Sequence, residues 1–176
     1  MRRLLLLRHA KAERGVPPGK HDHDRVLAER GREQAPQMGA YMARHGLVPE
    51  RAIVSNAART RETWKLVAAA FPKPPKVTFE ERIYEATPED ILQAVKQCSR
   101  DVHTLIVVGH NPGLQELAAL LIASGNVEAR QRLNEKYPTA GLAVIDFALD
   151  DWTKLHPQSG RLDHFVSPRT LAGTMD

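Results

Sequence analysis

The chain has 176 residues, of which 42% are hydrophobic and 26% charged, so a wholly disordered chain is excluded and one globular domain is favoured. Its apolar run near the start, Leu4 to Leu7, is too short to cross a membrane, and no cleavable signal follows it. The lone cysteine, Cys98, cannot form an internal disulfide, which is typical of a reducing cytoplasm. We therefore expect one cytoplasmic domain over residues 1–176, with no membrane partner.

The balance of charges points to anionic partners. Lysine and arginine number 25 against 21 aspartate and glutamate, which gives a formal net charge of +4. Such a surplus favours phosphoesters, phosphoproteins or nucleic acids. Nucleic-acid-binding proteins usually concentrate their basic residues and interleave them with aromatic ones. Here aromatic residues make up only 5% and the basic residues are spread among acidic ones, so we expect no nucleic-acid partner.

Short apolar segments predict strands at intervals along the chain. They lie at residues 4–7, 51–54, 77–79, 104–108, 142–148 and 162–166. The first of them is apolar throughout, as in a parallel sheet that is covered on both faces.

Helices are predicted between these strands, at residues 27–45, 60–71, 88–98 and 113–124. Thr87 is the expected N-cap of the third helix, because Pro88 suits its first turn. Two polar segments, 14–24 and 126–138, predict a loop and an irregular excursion. Alternating strands and helices predict a layered α/β fold with a mostly parallel sheet.

Charged side chains follow three of the predicted strands. Arg8 and His9 follow the first strand, Arg59 comes shortly after the second, and His110 follows the strand at 104–108. In an open α/β sheet, ligands bind outside the carboxyl ends of the strands. If the three strands are parallel, these four side chains meet at one edge of the sheet.

The residue types at this edge fit a phosphoryl group. Two guanidinium groups match its oxygens, and two histidines supply a nucleophile and a further donor. Asn111 is a possible cap beside Pro112, so backbone N–H groups of the next helix can face an anion. Gly109 and Gly113 suggest a close approach of backbones. The arginines already neutralise the transferred group, so we expect no metal and no other cofactor.

Several segments in this order resemble the histidine phosphatase superfamily. The matching segments are LLLLRHAKA at 4–12, LAERGREQA at 27–35, SNAARTRET at 55–63, IYEATPEDIL at 83–92, VVGHNPGL at 107–114 and YPTAGLAV at 137–144. Within this superfamily, the chain most resembles the small SixA-type phosphohistidine phosphatases. The resemblance implies a three-layer α/β/α sandwich with a mostly parallel central sheet, as in phosphoglycerate-mutase-like proteins.

The resemblance also implies roles for individual residues. His9 matches the nucleophile that forms a phosphohistidine intermediate, which water then hydrolyses. Arg8 and Arg59 match the two phosphate-binding arginines, and His110 matches the histidine that donates to the phosphoryl oxygens. We expect Asn111 to contact the phosphate as well.

The general acid is less well defined by the sequence. Larger relatives protonate the leaving group with a carboxylate, and Glu85 is the best match by position, with Glu13 as a second candidate. An imidazole leaving group needs less help, so an acid can also be absent. The chain departs from the common pattern at Asn56, where proline is usual, and at Ala10, where much of the superfamily has glycine.

Two further expectations concern charge. His9 must be neutral to attack, and nearby guanidinium groups should depress its pKa, whereas His110 beside a bound dianion should stay charged. The segment His21–Asp24 resembles a metal-binding cluster, but it lies in a Pro/Gly-rich loop without distant ligands. This loop is expected to be solvated or to border the entrance for substrate.

Three functions remain open on the sequence alone. The favoured one is a metal-independent phosphatase that acts on protein phosphohistidine, for example on a histidine-containing carrier protein. The second keeps the chemistry but acts on a small phosphorylated metabolite. The third is a module that binds phosphate or a phosphoprotein without turnover.

Overall fold

The computed structural model of the protein describes residues 1–173. Its strands are β1 (Arg2–Arg8), β2 (Arg51–Ser55), β3 (Lys76–Glu80), β4 (Thr104–Gly109), β5 (Ile122–Gly125), β6 (Leu142–Phe147) and β7 (Gly160–Val166). Its α-helices are α1 (Glu29–Arg44), α2 (Ala58–Ala68), α3 (Pro88–Lys96), α4 (Gly113–Leu121), α5 (Val127–Glu135) and α6 (Pro168–Gly173). None of these helices is long and apolar enough to cross a lipid bilayer.

The strands form one sheet in the order β3-β2-β4-β1-β6-β7-β5. β1, β2, β3 and β4 are mutually parallel, and β5 is parallel to β7. β6 is antiparallel to both of its neighbours and is the one strand within residues 1–173 that runs the other way. The predicted mostly parallel sheet is confirmed.

The apolar run of β1 explains the layered arrangement. Successive side chains of a strand point to opposite faces of the sheet. Leu4 and Leu6 accordingly join a core with α3, α4 and α5, whereas Leu5 and Leu7 join a second core with α1 and α2. All four leucines are fully buried. The result is the expected α/β/α sandwich.

A cap and a proline set the start of α3 as the sequence predicts, and the helix ends at Lys96, two residues before the predicted end. The hydroxyl of Thr87 accepts a hydrogen bond from the backbone N–H of Asp90 at 3.2 Å, and Pro88 is the first helical residue. This cap satisfies one of the N–H groups that a helix start leaves without a partner.

Two predictions for the second half of the chain are wrong. The segment 126–138 is not irregular, because residues 127–135 form α5. Asn126 caps this helix, since its Oδ1 accepts a hydrogen bond from Ala129 N at 2.8 Å. Ala129 and Leu133, one helical turn apart, are buried, while polar residues cover the outer face. The helix that follows Gly113 ends at Leu121 rather than near residue 124, because residues 122–125 pair with β7 as a strand.

Candidate active site

The two predicted histidines meet at the ends of neighbouring strands. Arg8 of β1 lies opposite Gly109 of the parallel strand β4, so His9 and His110 leave the sheet at the same level. The centroids of their rings are 5.5 Å apart. His9 is 7% exposed and His110 8%, so both rings are shielded from solvent.

Hydrogen bonds around the start of α2 place Arg59 beside these histidines. The hydroxyl of Thr60 donates to the carbonyl of Ser55 at 2.7 Å, which fixes the turn from β2 into α2. Thr63 donates its hydroxyl to the carbonyl of Arg59 and accepts from the N–H of Ala10 at 3.0 Å. Arg59 is only 5% exposed, and its charge acts on both histidine rings.

Arg8 is held by the segment that precedes β6. Its Nη1 donates to the carbonyl of Tyr137 at 2.8 Å. The Tyr137 ring is itself buried, and its hydroxyl donates to the carbonyl of Leu6 in β1. The guanidinium of Arg8 is therefore tied to the sheet edge on which His9 lies.

Three buried nitrogen atoms at this edge have no hydrogen-bond partner within residues 1–173. They are Nε of Arg8, Nε of Arg59 and Nδ1 of His110. A buried polar group without a partner costs about 1–3 kcal/mol, and such groups are rare in folded proteins. Their concentration around His9 fits a site that is built to bind an anion.

His9 has the protonation state of a nucleophile. Its Nδ1 lies 2.8 Å from the carbonyl oxygen of Ala10, and because a carbonyl only accepts, Nδ1 carries the proton and Nε2 the lone pair. The pKa of His9 is lowered to about 4, chiefly by burial and to a smaller extent by the charges of Arg8 and Arg59, against the opposing effect of the Ala10 hydrogen bond. The predicted direction is confirmed, but burial is a larger cause than the guanidinium groups.

His110 is positioned by the last residue of β2. Its Nε2 lies 2.7 Å from Oγ of Ser55. Burial lowers the pKa of His110 to about 3, and the neighbouring charge of Arg59 acts in the same direction. The ring is therefore neutral near pH 7 in this structure. That it gains a proton beside a bound dianion stays a prediction.

The loop before α1 covers the guanidinium of Arg59. Residues 22–24 form a 3-10 turn, and Arg59 donates to the carbonyl of Asp22 at 3.0 Å and to its Oδ2 at 3.2 Å. The hydroxyl of Tyr84 donates to the same Oδ2 at 2.6 Å, and Nε of Arg25 donates to Oδ1 at 2.9 Å. The hydrogen bond from Tyr84, aided by the two guanidinium charges, holds the pKa of Asp22 at about 2.

Sequence reasoning missed Asp22 and Tyr84 as site residues. The sequence predicts only that the loop around Asp22 is solvated or borders the entrance for substrate, because nothing in a polar Pro/Gly loop identifies the partner of Asp22. His23 ties the same loop to the β2–α2 turn, because its Nε2 lies 2.8 Å from Oδ1 of Asn56. Asn56, which replaces the usual proline, thus contributes a side-chain contact at this place.

A cavity of about 440 Å³ opens beside His110 and Arg59. Its remaining lining residues are Asp22, Arg25, Glu85, Ala86, Thr87, Asn111, Pro112, Gly113 and Glu116. Glu85 is exposed on this wall and has a left-handed backbone with φ of 52°. Glu13 is exposed and is not among the lining residues. Of the two candidate acids, the structure thus brings Glu85 to the cavity.

Asn111 lies at the cavity but uses its side chain within the protein. Its Oδ1 accepts from Gln115 N at 3.2 Å, although Pro112 and not Asn111 is the N-cap residue of α4, and its Nδ2 is 3.4 Å from the carbonyl of Tyr137. The close backbone approach expected at Gly113 is present, because a Cβ there would lie 2.6 Å from a carbonyl oxygen. At Gly109 it is not, since the nearest atom would be a side-chain carbon at 3.6 Å.

In the part of the chain that the structure describes, no three histidine, cysteine, aspartate or glutamate residues are grouped to hold a metal ion. In the candidate cluster at residues 21–24, the carboxylate of Asp22 accepts hydrogen bonds from Arg25, Arg59 and Tyr84.

The sequence was compared with protein-family models and with the sequences of known proteins. Residues 4–94 match the family model of the histidine phosphatase superfamily (branch 1). An uncharacterized protein of Mycobacterium leprae is 37% identical over 166 residues, which cover 93% of this chain and 100% of that protein.

Two solved structures illustrate the range of similar folds. A protein of Agrobacterium tumefaciens, assigned as the phosphohistidine phosphatase SixA, has a TM-score of 0.78 at 31% identity, with 95% of this chain and 98% of that one covered. A mycobacterial glucosyl-3-phosphoglycerate phosphatase has a TM-score of 0.63 at 15% identity, with 93% and 97% covered. The second likeness shows the fold alone.

Proposed function

The chain belongs to the histidine phosphatase superfamily, and we propose that it hydrolyses protein phosphohistidine through a covalent phosphate intermediate on His9, without a metal. One observation carries this proposal. The neutral ring of His9 lies near three buried nitrogen atoms, from Arg8, Arg59 and His110, that have no hydrogen-bond partner among residues 1–173. An anion bound beside His9 would offer hydrogen-bond acceptors to these nitrogen atoms while the nucleophile attacks it.

The reaction follows from this arrangement in two steps. In the first, the lone pair on Nε2 of His9 attacks phosphorus, and the bond to the leaving group breaks with its electron pair going to the leaving atom. Arg8 and Arg59 hold the phosphoryl oxygens, and His110 donates to them as negative charge develops. In the second step, water attacks the phosphorus atom, and the bond between phosphorus and Nε2 of His9 breaks with its electron pair returning to Nε2. Inorganic phosphate leaves with the protons of that water, and the neutral ring of His9 is restored.

The leaving group favours phosphohistidine over an ester. Imidazole departs from phosphorus with less assistance than an alkoxide, so a buried proton donor is not required. Within residues 1–173, Glu85 is the candidate acid on the cavity wall, and it is exposed rather than buried. The 31% identity to the protein assigned as SixA supports the same substrate class, for instance a histidine-containing carrier protein.

The proposal is tested with His9→Ala on two substrates, a histidine-containing carrier protein that has been phosphorylated on histidine and an aryl phosphate. We expect the variant to lose turnover of both while its circular dichroism spectrum stays that of the wild type. His156→Ala is the matched control, because His156 is exposed and lies outside this cavity. Wild-type rates in His9→Ala would refute the mechanism.

A small phosphorylated metabolite is the second candidate, and the position of Glu85 at the cavity favours it, since a carboxyl group there can protonate an ester oxygen. The kcat/KM for the phosphorylated carrier, compared with a panel of phosphometabolites, decides between them. A preference for the carrier below about tenfold, or about 1.4 kcal/mol of barrier, contradicts the protein substrate. Binding without a phosphorylated His9 or phosphate release would instead indicate a module without turnover.

A further inference from the structure

The cavity beside His110 and Arg59, whose lining does not include His9, has charges of both signs. Arg59 and His110 supply the buried nitrogen atoms that suit a phosphoryl group. Three acidic residues, Asp22, Glu85 and Glu116, line the same cavity, although the whole chain has a net charge of +4. A leaving group that occupies this cavity therefore meets carboxylates, which favour a cationic group over an anionic one.

Asp22 is the carboxylate that is fixed most firmly. Oδ2 accepts from Tyr84 and Arg59, and Oδ1 accepts from Arg25. These contacts hold the pKa of Asp22 at about 2, so it is ionised at neutral pH. Its side chain is 49% exposed, and its charge acts on the ring of His110. Asp22 thus presents a fixed negative charge at the mouth of the site.

Phosphohistidine differs from a phosphate ester in the charge of its leaving group. When its P–N bond breaks, the electron pair returns to the ring nitrogen of the substrate, while Nε2 of His9 forms the new P–N bond. If the other nitrogen of the substrate ring carries a proton, the ring leaves as neutral imidazole and no proton donor is needed. An aryl or alkyl phosphate instead leaves as an anion unless an acid protonates it.

Resting on the proposed function, we propose that Asp22 is a specificity-determining residue. Its carboxylate holds the imidazole ring of bound phosphohistidine in its protonated form. The same charge disfavours leaving groups that depart as anions. The residue does not touch the transferred phosphoryl group in this scheme. It acts on the leaving group through charge, and its separate contact with Arg59 is a positioning contact. The two roles are separable by comparing substrates.

Three variants separate charge from geometry. Asp22→Asn keeps an oxygen that can accept from Tyr84 and Arg59 but removes the charge and the acceptor for Arg25. Asp22→Glu restores the charge. Asp24→Asn is the matched control, because Asp24 lies on the same turn, its Oδ2 accepts from His21 N at 3.0 Å, and it does not line the cavity.

The two substrates are an aryl phosphate and a histidine peptide that has been phosphorylated chemically with phosphoramidate. The readout is the kcat/KM for the phosphorylated peptide divided by the kcat/KM for the aryl phosphate. We expect Asp22→Asn to lower this ratio at least about tenfold, whatever both absolute rates do, since a fixed charge near a protonated ring has an effect of that order. Asp22→Glu should stay within about threefold of the wild-type ratio. Asp24→Asn should leave the ratio unchanged.

Each other outcome overturns a defined part of this scheme. If Asp22→Asn lowers both rates equally, Asp22 acts only by orienting Arg59, and the inference is wrong while the proposed function stands. If Asp22→Glu behaves like Asp22→Asn, charge is not the cause. If the wild type fails to hydrolyse the phosphorylated peptide while His9-dependent hydrolysis of the aryl phosphate persists, the proposed substrate is wrong.

Discussion

The hydroxyl oxygen of Ser55 lies 2.7 Å from Nε2 of His110, so the last residue of β2 fixes a ring that follows β4. Both residues are buried, and Ser55 has no exposed surface. The contact limits rotation of the imidazole and leaves Nδ1, which has no partner in residues 1–173, as the nitrogen free to face a phosphoryl oxygen.

Ser55→Ala should therefore weaken catalysis without removing the nucleophile. We expect kcat/KM for an aryl phosphate to fall by roughly five- to tenfold, which corresponds to a lost hydrogen bond of about 1 kcal/mol. The effect should be larger on kcat than on KM, because the Ser55 contact orients a donor to the transition state. Ser124→Ala, at an exposed serine of β5, is the control. Unchanged kinetics in Ser55→Ala would mean that His110 is held by its packing alone.

The strand ends of this site were predictable from local sequence. The run Leu4–Leu7 is apolar on both faces, so it had to be an inner strand, and Arg8 and His9 had to follow its end. The same reasoning holds for Ser55 and His110. Because parallel strands end at one edge, the convergence of the histidines follows from placement alone.

Contacts between distant segments were not predictable in this way. Asp22 reaches Tyr84 across 62 positions, and neither residue shows a pattern that reveals the other. The direction of β6 and the existence of β5 also depend on pairing partners rather than on local pattern. For α5, two buried residues among many polar ones gave too weak a periodicity to predict the helix.

Glu85 should matter only where the leaving group needs a proton. We expect Glu85→Gln to lower the kcat/KM ratio of an alkyl phosphate to an aryl phosphate by about tenfold or more, since general acid catalysis contributes roughly 10²–10⁴-fold where it operates. The aryl phosphate is the internal reference, because its leaving group departs without a proton.

Glu13→Gln is the control for this experiment, because Glu13 is exposed and does not line the cavity. A fall of the ratio in Glu13→Gln but not in Glu85→Gln would reverse the assignment of the acid. No change in either variant would mean that neither Glu85 nor Glu13 protonates the leaving group.

The free energy of unfolding should decrease as pH falls through the range in which the protonation of His9 differs between the folded and unfolded states. The folded pKa of about 4 is below the ordinary value of 6.5, so between these values the unfolded chain binds a proton that the folded one does not. The free energy of unfolding therefore decreases as pH falls from 6.5 towards 4, and this contribution ends below the folded pKa. His110 adds a loss in the same direction, which extends to about pH 3.

His9→Gln removes one of these titrating groups, so its stability should fall less steeply than that of the wild type. Urea unfolding at about pH 7 and at about pH 5 measures the difference, since the linkage depends on the protons bound by each state. His156→Gln changes an exposed histidine and should keep the wild-type slope. Equal slopes in His9→Gln and the wild type would contradict a neutral, buried His9, because a histidine with an ordinary pKa in the folded state adds no such pH dependence.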